Sequence, residues 1–198
     1  MAENAFRVFL LGAPGLDLNF GCPAKTVNRH DGGATLLKSP ERLFNIISAI
    51  RKRVPKTFPV TAKVRLGFED KSKVLEISRA ASEAGADRLT VHARTKVEGY
   101  KPPAHWEFIS RMKEVSDIPV IANGDIWTVE DYVKCVEISG CTDVALGRCL
   151  MAKPDLGLAI KAHYLAEEYR EWSWPQMYQF LCDFYAKNLT DISEAYAA

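Results

Sequence analysis

"VTAKVRLG", residues 60–67, alternates without a break. Successive side chains of an extended strand point to opposite sides, so Val60, Ala62, Val64 and Leu66 share one face, and Thr61, Lys63 and Arg65 share the other. The pattern recurs along the chain. In "LDLNF", residues 16–20, Leu16, Leu18 and Phe20 oppose Asp17 and Asn19. In "RLTVHAR", residues 88–94, Leu89, Val91 and Ala93 oppose Thr90, His92 and Arg94. In "VIANGD", residues 120–125, Asn123 and Asp125 share a face at the end of the run. Each strand therefore has a dry side and a polar side, with the polar residues gathered toward its C-terminal end.

Working outward, β-type runs at 16–20, 59–66, 88–93, 119–124 and 143–148 alternate with helical patterns. In "SPERLFNIISAIRKRV", residues 39–54, Ser39 is a cap candidate and Pro40 suits the first helical position. Leu43, Ile46, Ile47 and Ile50 fall on one face. Further helices are predicted near 71–84, stopped by Gly85, near 105–115, from the capping-box pattern "TVED" at 128–131, and after Pro154. Repeated strand–helix units imply a parallel sheet with right-handed crossovers. Such a sheet is usually apolar on both faces. Here the apolar faces seat helices, and the polar faces must converge on an interior or crevice. There they satisfy one another or hold a polar ligand, since an unpaired buried charge costs several kcal/mol, roughly. The tail "WSWPQMYQFLCDFYAKNL", residues 172–189, lacks a strand signal and carries a helical stripe of Met177, Phe180, Leu181 and Phe184.

Composition excludes little but bounds the rest. The 198 residues are 47% hydrophobic and 26% charged, ordinary for a soluble globular chain. A net charge of +1 supplies no global field, so a nucleic acid or anionic partner must be held by a local patch. No apolar run approaches the roughly 20 residues of a membrane span, and residues 1–15 do not read as a signal peptide. Five cysteines without metal-type spacing suggest reduced thiols, a cytoplasmic setting and no metal site.

The segments "DLNFGCPAKTVNRHDGGATLLK", "VTAKVRLG", "LTVHARTKVEGY", "VIANGDI" and "DVALGRCLMAKPDL" occur in an order that resembles the tRNA-dihydrouridine synthases, and most nearly their C-type bacterial branch. The resemblance implies an α/β fold, a (β/α)8 TIM barrel that binds FMN, takes NADPH as reductant and reduces a tRNA uridine to 5,6-dihydrouridine. Eight strands and about 250 residues are usual for that barrel. Five strands are legible here and match the family's fourth to eighth, which implies a chain truncated at both ends. Residues 1–167 would form an incomplete barrel and 168–198 the start of a helical tRNA-binding domain. An open barrel implies weak or absent flavin and impaired activity unless self-association or a partner chain covers the gap. Two alternatives stand beside this reading: a non-catalytic remnant that binds RNA weakly, and another FMN barrel such as a dihydroorotate dehydrogenase-like enzyme.

The resemblance also assigns residues. Cys22, in the Gly21-Cys22-Pro23 turn, would be the general acid that protonates C5 of uracil as hydride reaches C6. An ordinary thiol titrates at about 8.5 and is mostly protonated at neutral pH. By residue type and spacing alone it reads more readily as a small buried hydrophobe, as most free cysteines do. Lys63 would sit by the flavin N1/O2 edge and His92 by the phosphate or ribityl chain. Asn123, Gly124, Asp125, Gly147 and Arg148 would form the phosphate seat, with Cys149 crowding it. Barrels often bind phosphate in the loops after their last two strands. Apart from the resemblance, the substrate candidates leave alternatives open: Asn19 could hydrogen-bond uracil or flavin, Arg65 could hold substrate, cofactor or a structural carboxylate, and Lys25 and Arg94 could meet RNA or be solvated. Lys96 and the basic run of Arg29, His30 and Lys38 could follow an RNA backbone or simply be solvated. Cys135, Cys141 and Cys182 carry no assigned chemistry.

Overall fold

A computed structural model describes residues 1–196, and side chains through residue 188. The helix α1 (Ala2–Leu10) precedes β1 (Leu16–Asn19). A short α2 (Lys25–Arg29) and a 3-10 segment (Gly33–Lys38) lead into α3 (Pro40–Arg53). Alternation then continues as β2 (Val60–Arg65), α4 (Val74–Glu83), β3 (Arg88–His92), α5 (Trp106–Glu114), β4 (Val120–Asn123), α6 (Val129–Ser139) and β5 (Val144–Ala145). The chain ends in α7 (Cys149–Ala152), α8 (Leu156–Tyr164) and α9 (Trp174–Tyr196).

The five strands are parallel and ordered β1-β2-β3-β4-β5, each beside its successor in sequence. That order is decisive. A doubly wound sheet reverses direction at a switch point and carries helices on both faces. A sheet that only advances, by right-handed crossovers, puts its helices on one face and turns the other inward, as a (β/α) barrel does. The protein is a five-strand portion of such a barrel. The register agrees with the alternation. Leu18, Ala62 and Leu89 are aligned in successive strands on the helix-covered face, as are Asn19, Lys63 and Thr90 on the other.

The core lies between strands and helices. Val60, Ala62, Val64, Leu66, Leu89, Val91 and Ala122 are fully buried, and so are Leu43 and Ile47 of α3, Ile77 and Ala81 of α4, and Ile109 and Met112 of α5. Each larger apolar side chain contributes about 1.5–3 kcal/mol by leaving water. Gly85 ends the α4 turn at φ +86°, a conformation open to glycine.

Three local expectations change. Ser39 does not cap α3 with its side chain; its carbonyl takes the Arg42 amide at 3.0 Å, and Pro40 fills the first turn. Ile46 is only half-buried. The strand expected over 143–148 shrinks to Val144–Ala145, because it pairs on one side only and the chain turns directly into α7.

By internal contacts the chain forms two units, one of residues 1–126 and 130–145, the other of 127–129 and 146–198. This division falls earlier than the expected 167/168, so α7 and α8 go with the tail. Within the second unit, the buried Asp155 carboxylate accepts the Tyr169 hydroxyl at 2.7 Å and the Trp172 amide at 2.9 Å. The tail stripe is helical as expected, but Phe180, Leu181 and Phe184 are exposed, and Met177 is half-buried.

Candidate functional site

The polar face of the first unit collects most of the sequence-predicted residues. Asn19, Lys63 and Thr90 are aligned across β1, β2 and β3; Arg65, His92 and Asn123 are aligned across β2, β3 and β4. Lys63 reaches over the small Thr90 to Asn123, donating from Nζ to Oδ1 at 2.9 Å, while Asn123 Nδ2 donates to the Ala145 carbonyl at 2.8 Å. Asn123 is thus fixed in orientation, with its oxygen toward the lysine. Burial, and then the neighbouring Arg65 guanidinium, hold the Lys63 ammonium down at about 8; Asp17 opposes them. A desolvated cation bonded to a neutral amide is a seat for an electron-rich group.

The loop after β4 closes one end of this face. Gly124 has φ +123°, and a Cβ there would lie 3.0 Å from His92 Cδ2, so glycine is required both by conformation and by space. The Gly124 carbonyl accepts the Trp106 indole N–H at 2.9 Å. Asp125, at φ +52°, pairs with Arg94. Arg94 is 0% exposed; its Nη1 also lies 3.5 Å from His92 Nε2, a contact in which that ring nitrogen accepts. Arg94, read in sequence as a loop residue that meets RNA phosphate or solvent, is instead turned inward, because its charge is answered by Asp125. Replacing Asp125 with Asn keeps the size and the left-handed tolerance but removes the counter-charge. The expected cost is up to about 3–5 kcal/mol, read as a fall in Tm of roughly 10 °C. An unchanged thermal melt would refute the pairing.

The Cys22 loop is held at several points. The Gly21 amide donates to Asn19 Oδ1 at 3.0 Å. The Gly21 carbonyl accepts Arg65 Nε at 3.0 Å. The Cys22 carbonyl accepts the Ala34 amide at 3.0 Å and Asn28 Nδ2 at 3.0 Å. The Cys22 side chain is partly exposed and within electrostatic range of Arg65. Arg65 is buried, and its Nη1 donates to the carbonyls of Thr95, at 3.1 Å, and Gly99, at 2.8 Å. It ties the loop after β1 to the loop after β3, so its partners are backbone carbonyls rather than the structural carboxylate among its expected roles. Asn19 likewise uses Oδ1 on the turn, yet the residue is exposed at the strand end. Lys25, Arg29, His30 and Lys38 are exposed, and Lys38 spends its charge on Glu69 at 3.1 Å and the Phe68 ring at 4.1 Å. Lys96 also sits over Phe68, at 4.9 Å.

Gly147 and Arg148 belong to the second unit. Their carbonyls accept the Leu150 and Met151 amides at 3.0 and 3.1 Å, and the Arg148 guanidinium lies over the Trp127 ring at 5.5 Å. Cys149 is buried. Burial pushes the Cys135 thiol up to about 12 and that of Cys141 upward, which leaves both inert. Among the described residues, no cluster of His, Cys, Asp or Glu could hold a metal ion, and no helix is long and apolar enough to cross a membrane.

Three residues escaped the sequence reading. Tyr100 places its ring 5.1 Å from the Arg65 guanidinium and 5.8 Å from His92. Trp106 fixes the Gly124 turn. Asn28 anchors the Cys22 carbonyl. All three lie outside the strands, in loops or short helices, where alternation gives no signal.

The profile described as "Dihydrouridine synthase (Dus)" matches residues 1–197. The tRNA-dihydrouridine(16) synthase of Aquipseudomonas alcaligenes is 51% identical over 197 residues, covering 100% of this chain and 62% of that relative. The enzyme of the same name from Pseudomonas syringae pv. tomato is 55% identical over 185 residues, covering 93% of this chain and 58% of its own length. The chain thus spans about 60% of the length of the curated relatives it matches. Among solved structures, a mandelate racemase/muconate lactonizing enzyme from a marine actinobacterium superposes with a TM-score of 0.58 at 12% identity, over 83% of this chain and 41% of that one. A likeness at that identity shows the fold alone.

Proposed function

The chain belongs to the dihydrouridine synthase family, and from that premise we propose that the polar face of its sheet serves the reduction of a tRNA uridine to 5,6-dihydrouridine. The position carried by the relatives' names, uridine 16, is the proposed target. The observation that carries the reading is the Lys63–Asn123 pair on a barrel's inward face, beside the strand whose end bears the Gly21-Cys22-Pro23 turn.

FMN fits the residues present. Lys63 offers a desolvated cation to an electron-rich ring edge, and Asn123 holds it in place. His92, packed against Gly124, offers a ring beside the same face. When bound, the flavin would supply the hydride for C6, with NADPH as its reductant. Cys22 then gives its thiol proton to C5, and solvent restores the proton. Each uridine reduced thus takes up one hydride and one proton. Arg65, Asn19 and Asn28 keep that thiol in place through the backbone of the turn. Lys25 and the exposed basic residues beside it give the tRNA backbone a local patch. The target base must leave its stack to reach a site at the strand ends. The phosphate role of Gly147 and Arg148, the tRNA-binding role of residues 168–198 and a cytoplasmic location rest on the family alone.

One observation favours a second reading, a remnant that binds RNA without turnover: the sheet has five strands, and β1 and β5 each have one neighbour. An edge of that kind is a template for another chain. A second copy, or a chain supplying further strands, would then complete the barrel. So completed, the chain is expected to take up flavin, seen in its visible absorbance, and to form dihydrouridine on unmodified tRNA with NADPH. Flavin-free protein inert on tRNA would leave the remnant reading standing.

A further inference from the structure

We propose that Asn28 is a positioning residue for Cys22, setting where the thiol stands rather than touching substrate itself. The proposal rests on the reading of Cys22 as proton donor, but its geometry does not.

Asn28 lies in α2, outside the sheet, and its amide group is used in an unusual way. Nδ2 donates twice, to the Cys22 carbonyl at 3.0 Å and to the Gly32 carbonyl at 3.2 Å. Oδ1 is buried without a hydrogen-bond partner. A buried unpaired acceptor destabilises the folded state, so the fold accepts a penalty at this side chain to keep both N–H groups on the loop. The amide orientation is fixed, since a flipped amide would set oxygen against two carbonyl oxygens.

The neighbouring backbone leaves little slack. Gly33 sits at φ +57°, and a Cβ there would lie 2.8 Å from the Cys22 carbonyl oxygen and 3.0 Å from Cys22 Cβ. The chain after α2 is thus folded directly beneath the cysteine. The Ala34 amide adds its own bond to the same Cys22 carbonyl, and Thr35 Oγ1 donates back to the Asn28 carbonyl at 3.3 Å. Asn28 is the side chain that joins the two ends of this loop. Proton transfer to a carbon depends on the donor's placement, and a misplacement near 1 Å costs about 100-fold.

The test reads the thiol directly. In a Cys182→Ser background, which removes the exposed thiol, iodoacetamide reports mainly on Cys22, since Cys135, Cys141 and Cys149 are buried. Asn28→Ala is expected to raise the Cys22 alkylation rate at least threefold, roughly, by local opening. In the flavin-loaded enzyme it should lower kcat with KM for tRNA unchanged. Asp125→Asn is the control for general loss of stability: it lowers Tm in the same unit without raising Cys22 alkylation below the melt. If Asn28→Ala fails to fold, Thr35→Val loosens the same anchor and should move the rate in the same direction. An unchanged alkylation rate, or one that merely follows Tm as in the control, overturns the proposal. Inactivity of Cys22→Ala, or its absence, bears on the proton-donor reading alone.

Discussion

Cys22→Ala is expected to lower dihydrouridine formation by about 100-fold or more, the usual contribution of a placed general acid, while flavin absorbance stays unchanged. The separation of the two readouts follows from the geometry. The bonds that organise the turn run through the backbone of residues 21 and 22 and through Asn19, Asn28 and Arg65, none of them through sulfur. Alanine keeps all of these, and Lys63 and Asn123 keep their mutual bond. What disappears is the proton for C5. Hydride delivery without a proton source leaves charge on the pyrimidine, so the loss should fall on kcat, with KM for tRNA unaltered. Single-turnover oxidation of the reduced enzyme by unmodified tRNA is the measurement. A variant that reoxidises at the wild-type rate would show that another group, or solvent, delivers the proton.

How much of this was legible in sequence depends on which interactions are local. The strand alternation showed both faces of β2 and β3, because period two is a backbone property. It also showed that Lys63, His92 and Asn123 share a side. It did not show that Lys63 crosses β3 to bond Asn123, which depends on Thr90 being small and on a register set by the whole sheet. Arg65 and Arg94 illustrate the limit. Both follow the same alternation as Lys63, yet each is buried and committed elsewhere, one to loop carbonyls and one to Asp125. A side chain's face is written in its strand; its partner comes from a loop tens of residues away. Asn28 is the extreme case, since its partners are backbone carbonyls, which sequence does not distinguish.

Replacing Lys63 with Met should abolish most flavin affinity and at the same time leave the apo chain more stable. The two effects have one origin. In the folded protein the ammonium is held down at about 8, against an ordinary value of 10.5, chiefly by burial. Folding therefore works against the charge. Between about pH 8 and 10.5 the unfolded chain holds a proton that the folded chain has shed, so stability rises with pH across that window and is lowest, with respect to this group, below it. Met removes the penalty, for a gain on the order of 1–3 kcal/mol after allowing for solvent near the strand end. About 1 kcal/mol is offset because Asn123 Oδ1 loses its donor. The variant's stability should thus exceed that of the wild type at neutral pH, and the difference should close as pH passes from 8 to 10.5. Chemical denaturation at several pH values measures it on the chain alone. Flavin binding moves the other way: removing one partner of a buried charge contact costs about 2–5 kcal/mol, or 30-fold in affinity at the least, roughly. Wild-type affinity should also weaken as pH rises through 8, where the ammonium is lost, whereas the residual affinity of the variant should not follow that titration. A Lys63→Met chain that binds flavin as tightly as wild type would remove the lysine from the cofactor seat; a stability difference independent of pH would remove the buried charge as its cause.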